Sequence, residues 1–306
     1  NDKEKTLKGL KKRGFKNLSV VNEIIELNNI RKKTQQELDQ ILFESNTISK
    51  EIAEIFKSGN KSDNVENLKN KSADLKSRSK DLSDKLDKTK SDILSLITTI
   101  PNLPDDNVPD GFTVNDNVEV FSTGEIKDIP DNLKNHWDLA KDLDIIDFDL
   151  GSKITGSGFP VYKGKGAKLQ RALINFFLDR NTSAGYTEFQ VPHLVNSQSA
   201  FATGQLPDKD GQMYHVINDD FYLIPTAEVP LTNIYRDTKV SIEELPILLT
   251  GYTPCFRREA GSYGSDVRGL NRLHQFDKVE IVRLEHPDNS SKALTGMKEH
   301  IKSILS

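Results

Sequence analysis

The sequence predicts an α+β chain: an antiparallel helical hairpin first, then a mixed, mostly antiparallel β-sheet domain flanked by helices. Three observations predict it. Apolar residues between 20 and 100 recur at coiled-coil spacing in two runs, separated by the polar stretch KSGNKSDN at 57–64. Three prolines among Asp, Asn and Gly, in PNLPDDNVPDG at 101–111, end the second run. Beyond them the pattern turns mixed, and GYTPCFRREAGSYGSDVRGLNRLHQFDKVE at 251–280 reads as strand, long loop, strand.

The first seam comprises Val20, Ile24, Leu27, Arg31, Thr34, Leu38, Ile41, Ser45, Ile48, Ile52 and Ile55. The second comprises Leu68, Ser72, Leu75, Ser79, Leu82, Leu86, Thr89, Ile93, Leu96 and Ile100. Two long helices joined by a short loop must run antiparallel, each ~50 Å long at the rise of an α-helix. The Ser and Thr seam positions weaken the pairing, so stability is expected to be lowest at the tip. The proline cluster places the domain junction, giving a helical arm over 1–104 and a second domain over 105–306. In that domain Leu133–Leu143 reads as a short helix and 151–164 as a Gly-rich strand and turn. Gly166–Ala184 reads as a helix carrying Leu169, Leu173, Phe176, Phe177 and Arg180, running into a strand, GYTEFQVPHLV, that contains Pro192.

Composition narrows the function classes. Of 306 residues 35% are hydrophobic and 29% charged, so part of the chain is expected to be elongated. The single cysteine, Cys255, has no partner for an internal disulfide and fits a reducing, cytoplasmic setting. No apolar run is long enough to span a bilayer and no signal peptide is evident. The net charge of −4 is unevenly spread: residues 1–33 hold ten Lys/Arg against four Asp/Glu, while 102–150 hold 13 Asp/Glu against three Lys. A basic start on an acidic body suggests a local phosphate-binding surface; a solvated helix face is the alternative.

The 251–280 stretch concentrates charge where a core would want none. Period-2 alternation sends Cys255, Arg257 and Glu259 to one face and Phe256 and Arg258 to the other, with His274, Phe276, Lys278 and Glu280 sharing a face on the return. That surface suits a purine triphosphate beside a small zwitterion. Residues 256–280, FRREAGSYGSDVRGLNRLHQFDKVE, resemble motif 2 of the class II aminoacyl-tRNA synthetases, in the seryl-tRNA synthetase form, where FRxEAG, RGL and HQFxKVE occur in this order. PTAEVPL at 225–231 resembles the TxE element of the same family, whose small central residue is Ala227 here. In a strand Thr226 and Glu228 would point the same way; as a helix start, Thr226 would be the N-cap. The helix at 166–184 and the strand with Pro192 resemble motif 1, which builds the family's dimer interface.

The resemblance implies a class II catalytic domain that activates L-serine with ATP and transfers it to the 3′ end of tRNA(Ser). By that resemblance Arg257 meets the α-phosphate and Arg272 the far phosphates, these two being the catalytic candidates. Glu259 reads the adenine amino group, Phe276 stacks on the ring, and Arg258 and Leu273 contribute further ATP contacts. Thr226, Ala227, Glu228 and Glu280 hold serine, with the ammonium and hydroxyl divided between the two carboxylates in either sense. Ser262, Tyr263 and Arg268 meet the acceptor end of tRNA, and Lys57 and Lys61 its backbone at the arm tip. A homodimer through 166–195 and Mg²⁺ as cofactor are implied; no metal ligand is assigned. The family's motif 3 and its Mg²⁺ positions are not found, so the chain reads as a fragment, expected to be inactive alone in adenylation. A non-catalytic paralogue that binds tRNA or a partner protein is the alternative.

Overall fold

The computed structural model describes residues 2–57, 64–124, 133–259 and 268–305. It divides into two compact units, residues 1–126 and 127–306.

In the first unit α1 (Lys3–Lys12) precedes α2 (Val20–Lys57) and α3 (Asn64–Ile97). The α2 and α3 seams meet as the heptads predict. Ile41, Ile48 and Leu75 are buried together, with Ile52, Leu68 and Leu82 packed against them, which fixes an antiparallel pairing. Nearer the base, Leu10, Val20 and Val21 are buried against Leu7, Phe15, Ile24, Leu96 and Ile100. The short α1 thus adds a third apolar face where the two long helices would otherwise bury only a thin seam. Thr89, a polar seam position, is 6% exposed and donates its hydroxyl to the Lys85 carbonyl one turn back, at 2.7 Å.

The second unit starts with α4 (His136–Asp142), β1 (Ile146–Asp147), α5 (Phe148–Ile154) and β2 (Val161–Tyr162), followed by α6 (Lys165–Ser183). The Gly-rich segment at 151–164 is therefore not one strand and turn. Its first residues close α5, which Asp147 caps by accepting from the Leu150 amide. On α6, Gln170, Ile174, Phe177 and Asn181 face inward, whereas Leu169, Leu173 and Phe176 are about half-exposed.

The expected single strand around Pro192 is two. β3 (Thr187–Glu188) runs parallel to β7 (Ile247–Phe256), and β4 (Leu194–Asn196) pairs antiparallel with β6 (Phe221–Leu223) in a separate sheet. Proline has no N–H to offer a ladder, so the chain changes sheets where Pro192 stands. The remaining elements are α7 (Ser197–Ala202), β5 (His215–Val216) beside β6, α8 (Glu228–Asn233), β8 (Gln275–Leu284) and α9 (Ser290–Leu305). β7 and β8 form a ten-pair antiparallel ladder, the longest in the molecule among the described residues. Val191, Ala227, Leu231 and Leu249 pack as its buried core.

Candidate active site

Register decides which side chains the β7–β8 ladder gathers. Gly251 opposes Glu280, Thr253 opposes Lys278 and Cys255 opposes Phe276, and partners across an antiparallel ladder share a face. On the β7 side this face is sealed: Thr253 and Cys255 are fully buried. Burial also pushes the Cys255 thiol above its ordinary range. At Gly251 a Cβ would lie 2.8 Å from the Phe189 carbonyl, so a larger residue would push the ladder off the neighbouring chain. The partly accessible groups of this face therefore come from β8, from the loops that flank it and from the start of α8.

Past Phe256 the regular strand ends, and alternation holds for Arg257 and Arg258 only. The Arg257 amide donates to the His274 carbonyl at 2.9 Å, and its guanidinium lies 5.1 Å from the centre of the Phe276 ring. Glu259 takes a left-handed backbone (φ 47°), an uncommon conformation for a residue with a Cβ. Alternation thus fails to place Glu259; instead its carboxylate pairs with Arg272 at 3.2 Å. Arg258 faces the other way, 5.3 Å from the Tyr214 ring, with its amide bonded to the Gln212 carbonyl. Leu273 is buried. His274 lies just outside the ladder: Nδ1 is 2.7 Å from the Tyr214 hydroxyl and the ring stacks on Phe159.

Glu280 is the most heavily tethered carboxylate on this face. Its Oε2 accepts from the Thr226 hydroxyl at 2.8 Å and from Lys278 Nζ at 2.8 Å. Among the described residues Oε1 accepts nothing. Lys278 is the side chain against Glu280 that sequence reasoning leaves without a role: alternation puts it on this face, and nothing in the motif singles it out. Its one signal in the sequence is its position between Phe276 and Glu280 at period 2.

The strand reading of Thr226 and Glu228 is overturned. Ala227, fully buried, has helical backbone angles, and α8 begins at Glu228, whose amide is 3.2 Å from Thr226 Oγ1. A helix start is what forms, with Ala227 rather than Thr226 at the N-cap, and Pro230 explains why it can: in the first turn a missing N–H costs no intrahelical bond. Thr226 is buried against Glu280, whereas Glu228 is exposed with no side-chain hydrogen bond or ion pair among the described residues.

The returning end of the 260–272 loop rests on α4. Arg268 lies 4.9 Å from the Trp137 ring, and the Leu270 amide donates to His136 Nε2 at 2.8 Å. Gly269 is left-handed (φ 70°), and a Cβ there would strike the His136 ring, so two constraints favour glycine at this point. Ser262, Tyr263 and Lys61 lie outside the described residues; Lys57 is exposed in the last turn of α2. Among the described residues no group of three or more His, Cys, Asp or Glu side chains is arranged to hold a metal ion. No helix among them is long and apolar enough to cross a membrane.

Comparison with known proteins adds an independent line. Residues 1–104 match the family described as Seryl-tRNA synthetase N-terminal domain, and residues 214–306 match tRNA synthetase class II core domain (G, H, P, S and T). The chain is 43% identical over 305 residues to a serine–tRNA ligase of Salinibacter ruber, covering all of this chain and 71% of the relative. It is 41% identical over 302 residues to a serine–tRNA ligase of Thermodesulfovibrio yellowstonii, covering 99% of this chain and 71% of that one. A solved seryl-tRNA synthetase from Pyrococcus horikoshii, complexed with ATP, superposes with a TM-score of 0.84 at 29% identity, over 99% of this chain and 72% of that one. The cytoplasmic serine–tRNA ligase of Naegleria fowleri, with AMP, shares the fold at a TM-score of 0.80 and 23% identity, over 99% and 69% of the two chains.

Proposed function

The chain belongs to the serine–tRNA ligase family, and on that premise we propose that it serves an enzyme that activates L-serine with ATP and passes the seryl group to tRNA(Ser). The observation that carries the reading is the single face on which Arg257 lies over Phe276 while Thr226 and Lys278 hold Glu280. An aromatic plate beside an arginine suits a nucleotide, and a tethered carboxylate a few residues along the same strand suits a small polar amino acid.

The serine carboxylate attacks the α-phosphorus of ATP, a bond forms between them, and pyrophosphate leaves. Such chemistry needs positioning and charge neutralisation more than a protein nucleophile. Arg257 meets the α-phosphate with its planar fork, and Phe276 stacks on adenine. Glu259 and Arg272 must part to reach the adenine amino group and the far phosphates; with Arg272 half-exposed, opening that pair costs at most about 1 kcal/mol. Arg258 and Leu273 contribute through their backbone. Glu280, with Thr226, and Glu228 divide the ammonium and the hydroxyl of serine over the small Ala227. A site that hydrogen-bonds the hydroxyl should reject alanine on the order of 10⁴-fold, because its buried partners would be left unpaired.

ATP enters as its Mg²⁺ complex, and no step is assigned to the metal. In the second step a terminal ribose hydroxyl of the tRNA takes the seryl group and AMP leaves. The 260–272 loop, with Ser262, Tyr263 and Arg268, meets the acceptor end, while the arm, with Lys57 and Lys61, follows the RNA backbone. The half-exposed stripe of Leu169, Leu173 and Phe176 on α6 is covered by a second copy, giving a cytoplasmic homodimer.

The test is amino-acid-dependent ATP–pyrophosphate exchange by the full-length protein, run across the standard amino acids. Exchange with serine alone is expected. Exchange with another amino acid would overturn the pocket reading, and none at all would turn the protein into a binding paralogue.

A further inference from the structure

Behind Glu280 runs a second set of hydrogen bonds that the reaction above does not use. The Thr250 hydroxyl on β7 lies 2.8 Å from the Glu280 carbonyl on β8. Asn181 Nδ2 on α6 lies 2.9 Å from Thr250 Oγ1. His300 Nε2 on α9 lies 2.8 Å from Asn181 Oδ1. Thr250 is fully buried and Asn181 is 3% exposed, while His300 stacks on the buried Tyr186 ring.

The direction of every bond follows from one end. A backbone carbonyl can only accept, so Thr250 must spend its single hydroxyl hydrogen on Glu280. Its oxygen can then only accept from Asn181, which fixes the amide with Nδ2 toward Thr250 and Oδ1 toward His300. Oδ1 also only accepts, so His300 must carry a hydrogen on Nε2. The chain thus has one hydrogen-bonding pattern rather than two, and it runs through four separate elements. Local secondary structure does not require it, because Thr250 and Glu280 already belong to the β7–β8 ladder.

We propose that Asn181 and Thr250 are positioning residues for Glu280, with His300 holding Asn181 in the correct orientation. Thr226 and Lys278 fix the carboxylate at Oε2, and the buried chain fixes the backbone from which that carboxylate projects. Two anchors on opposite sides of one residue restrict both where Glu280 sits and which oxygen it presents, and Oε1 is the oxygen left for the substrate. The inference rests on the proposed role of Glu280 in holding serine. Phe276 and Arg257, on the same face but four and more residues away from Glu280, are not tethered by this chain, so nucleotide binding is outside its reach.

The test is steady-state ATP–pyrophosphate exchange by the full-length protein carrying Thr250→Val, Thr250→Ser or Asn181→Asp. Thr250→Val removes the hydroxyl at nearly constant shape. It should raise the KM for serine about tenfold, a net loss of about 1.4 kcal/mol, with the KM for ATP within twofold of wild type. Thr250→Ser should restore the serine KM. Asn181→Asp removes the donor to Thr250, so the hydroxyl turns toward the new carboxylate and releases Glu280; the same serine-specific rise is expected, which keeps the idea testable should Thr250→Val not fold. Unchanged serine KM in both folded variants, or equal rises for serine and ATP, would show a purely structural chain and sink the proposal. Wild-type protein that exchanges with no serine at all removes the function proposed above, and this inference goes with it.

Discussion

Two buried threonines show how differently the two units are built. Thr89 on the arm and Thr250 in the sheet are both almost sealed from water, and both donate their hydroxyl to a backbone carbonyl, at 2.7 and 2.8 Å. Thr89 finds its acceptor four residues back on its own helix; Thr250 finds it 30 residues away on another strand. A helix satisfies its buried hydroxyls by itself, so the arm can tolerate polar seam positions without building anything around them. In the sheet the buried Thr250 hydroxyl is met by a separate strand, and that bond fixes one element against another. The arm therefore reads as a repeating surface, and the sheet as a set of unique anchors.

The sharpest way to break this comparison lies on the sheet. Arg257→Ala should lower the turnover of serine-dependent pyrophosphate exchange by about 10²–10³-fold, the usual loss when a preorganised donor to a developing charge is removed. Melting should stay cooperative, because Arg257 is only half-buried and its contact is to one ring face. A loss of less than tenfold would mean that the α-phosphate is held elsewhere. Next comes Glu280→Ala, which leaves Thr226 and Lys278 without their common acceptor. Charge-assisted hydrogen bonds contribute about 1.5–3 kcal/mol, so kcat/KM for serine should fall roughly 10- to 100-fold. An equal fall in ATP affinity would show that the face does not divide into nucleotide and amino-acid halves.

On the arm the expected effects are on stability and on tRNA, not on activation. Leu75 is 2% exposed in the middle of the seam, between Ile41 and Ile48. Leu75→Ala should destabilise the arm by about 2–5 kcal/mol, seen as an earlier helical melting step by circular dichroism. Aminoacylation should then require more tRNA, while pyrophosphate exchange stays within twofold of wild type. Exchange that collapses together with the arm would end the view of two separable units.

The same contrast explains why some of the molecule is legible in its sequence and some is not. Each apolar residue assigned to the arm seam is buried or half-buried on α2, on α3 or in the turn that ends α3, because a seam is a local period and needs no distant partner. The β7–β8 strands and the face shared by Phe276, Lys278 and Glu280 are legible too, since alternation is also local. The residues of the site follow from resemblance to a family motif, but their arrangement does not. Thr226 is legible as a helix start, the alternative the sequence offers, but nothing near it in the chain announces its bond to Glu280, 54 residues away. Pro192 is plain in the sequence, but not that the chain changes sheets there. On α6 a signal does exist: Gln170 and Asn181 sit in phase with the inward Ile174 and Phe177. Amides on an apolar stripe call for buried partners, and both have them. Gln170 donates to Asp277, which also accepts from Tyr252 at 2.5 Å, and burial, together with that bond, pushes the Tyr252 hydroxyl far above its ordinary range.

The smallest effect separates the two threonines directly. Thr89→Val removes a hydroxyl from the arm much as Thr250→Val does from the sheet. The lost bond is worth about 1 kcal/mol, but its acceptor, the Lys85 carbonyl, already belongs to the helix ladder, and a methyl in the seam gains apolar contact with α2. The two terms nearly cancel, so the arm should melt within about 1 kcal/mol of wild type. The KM for serine should not move at all. If Thr89→Val shifted serine affinity as far as Thr250→Val does, the arm and the sheet would be energetically coupled, and a buried hydroxyl on a helix would be as much an anchor as one on a strand.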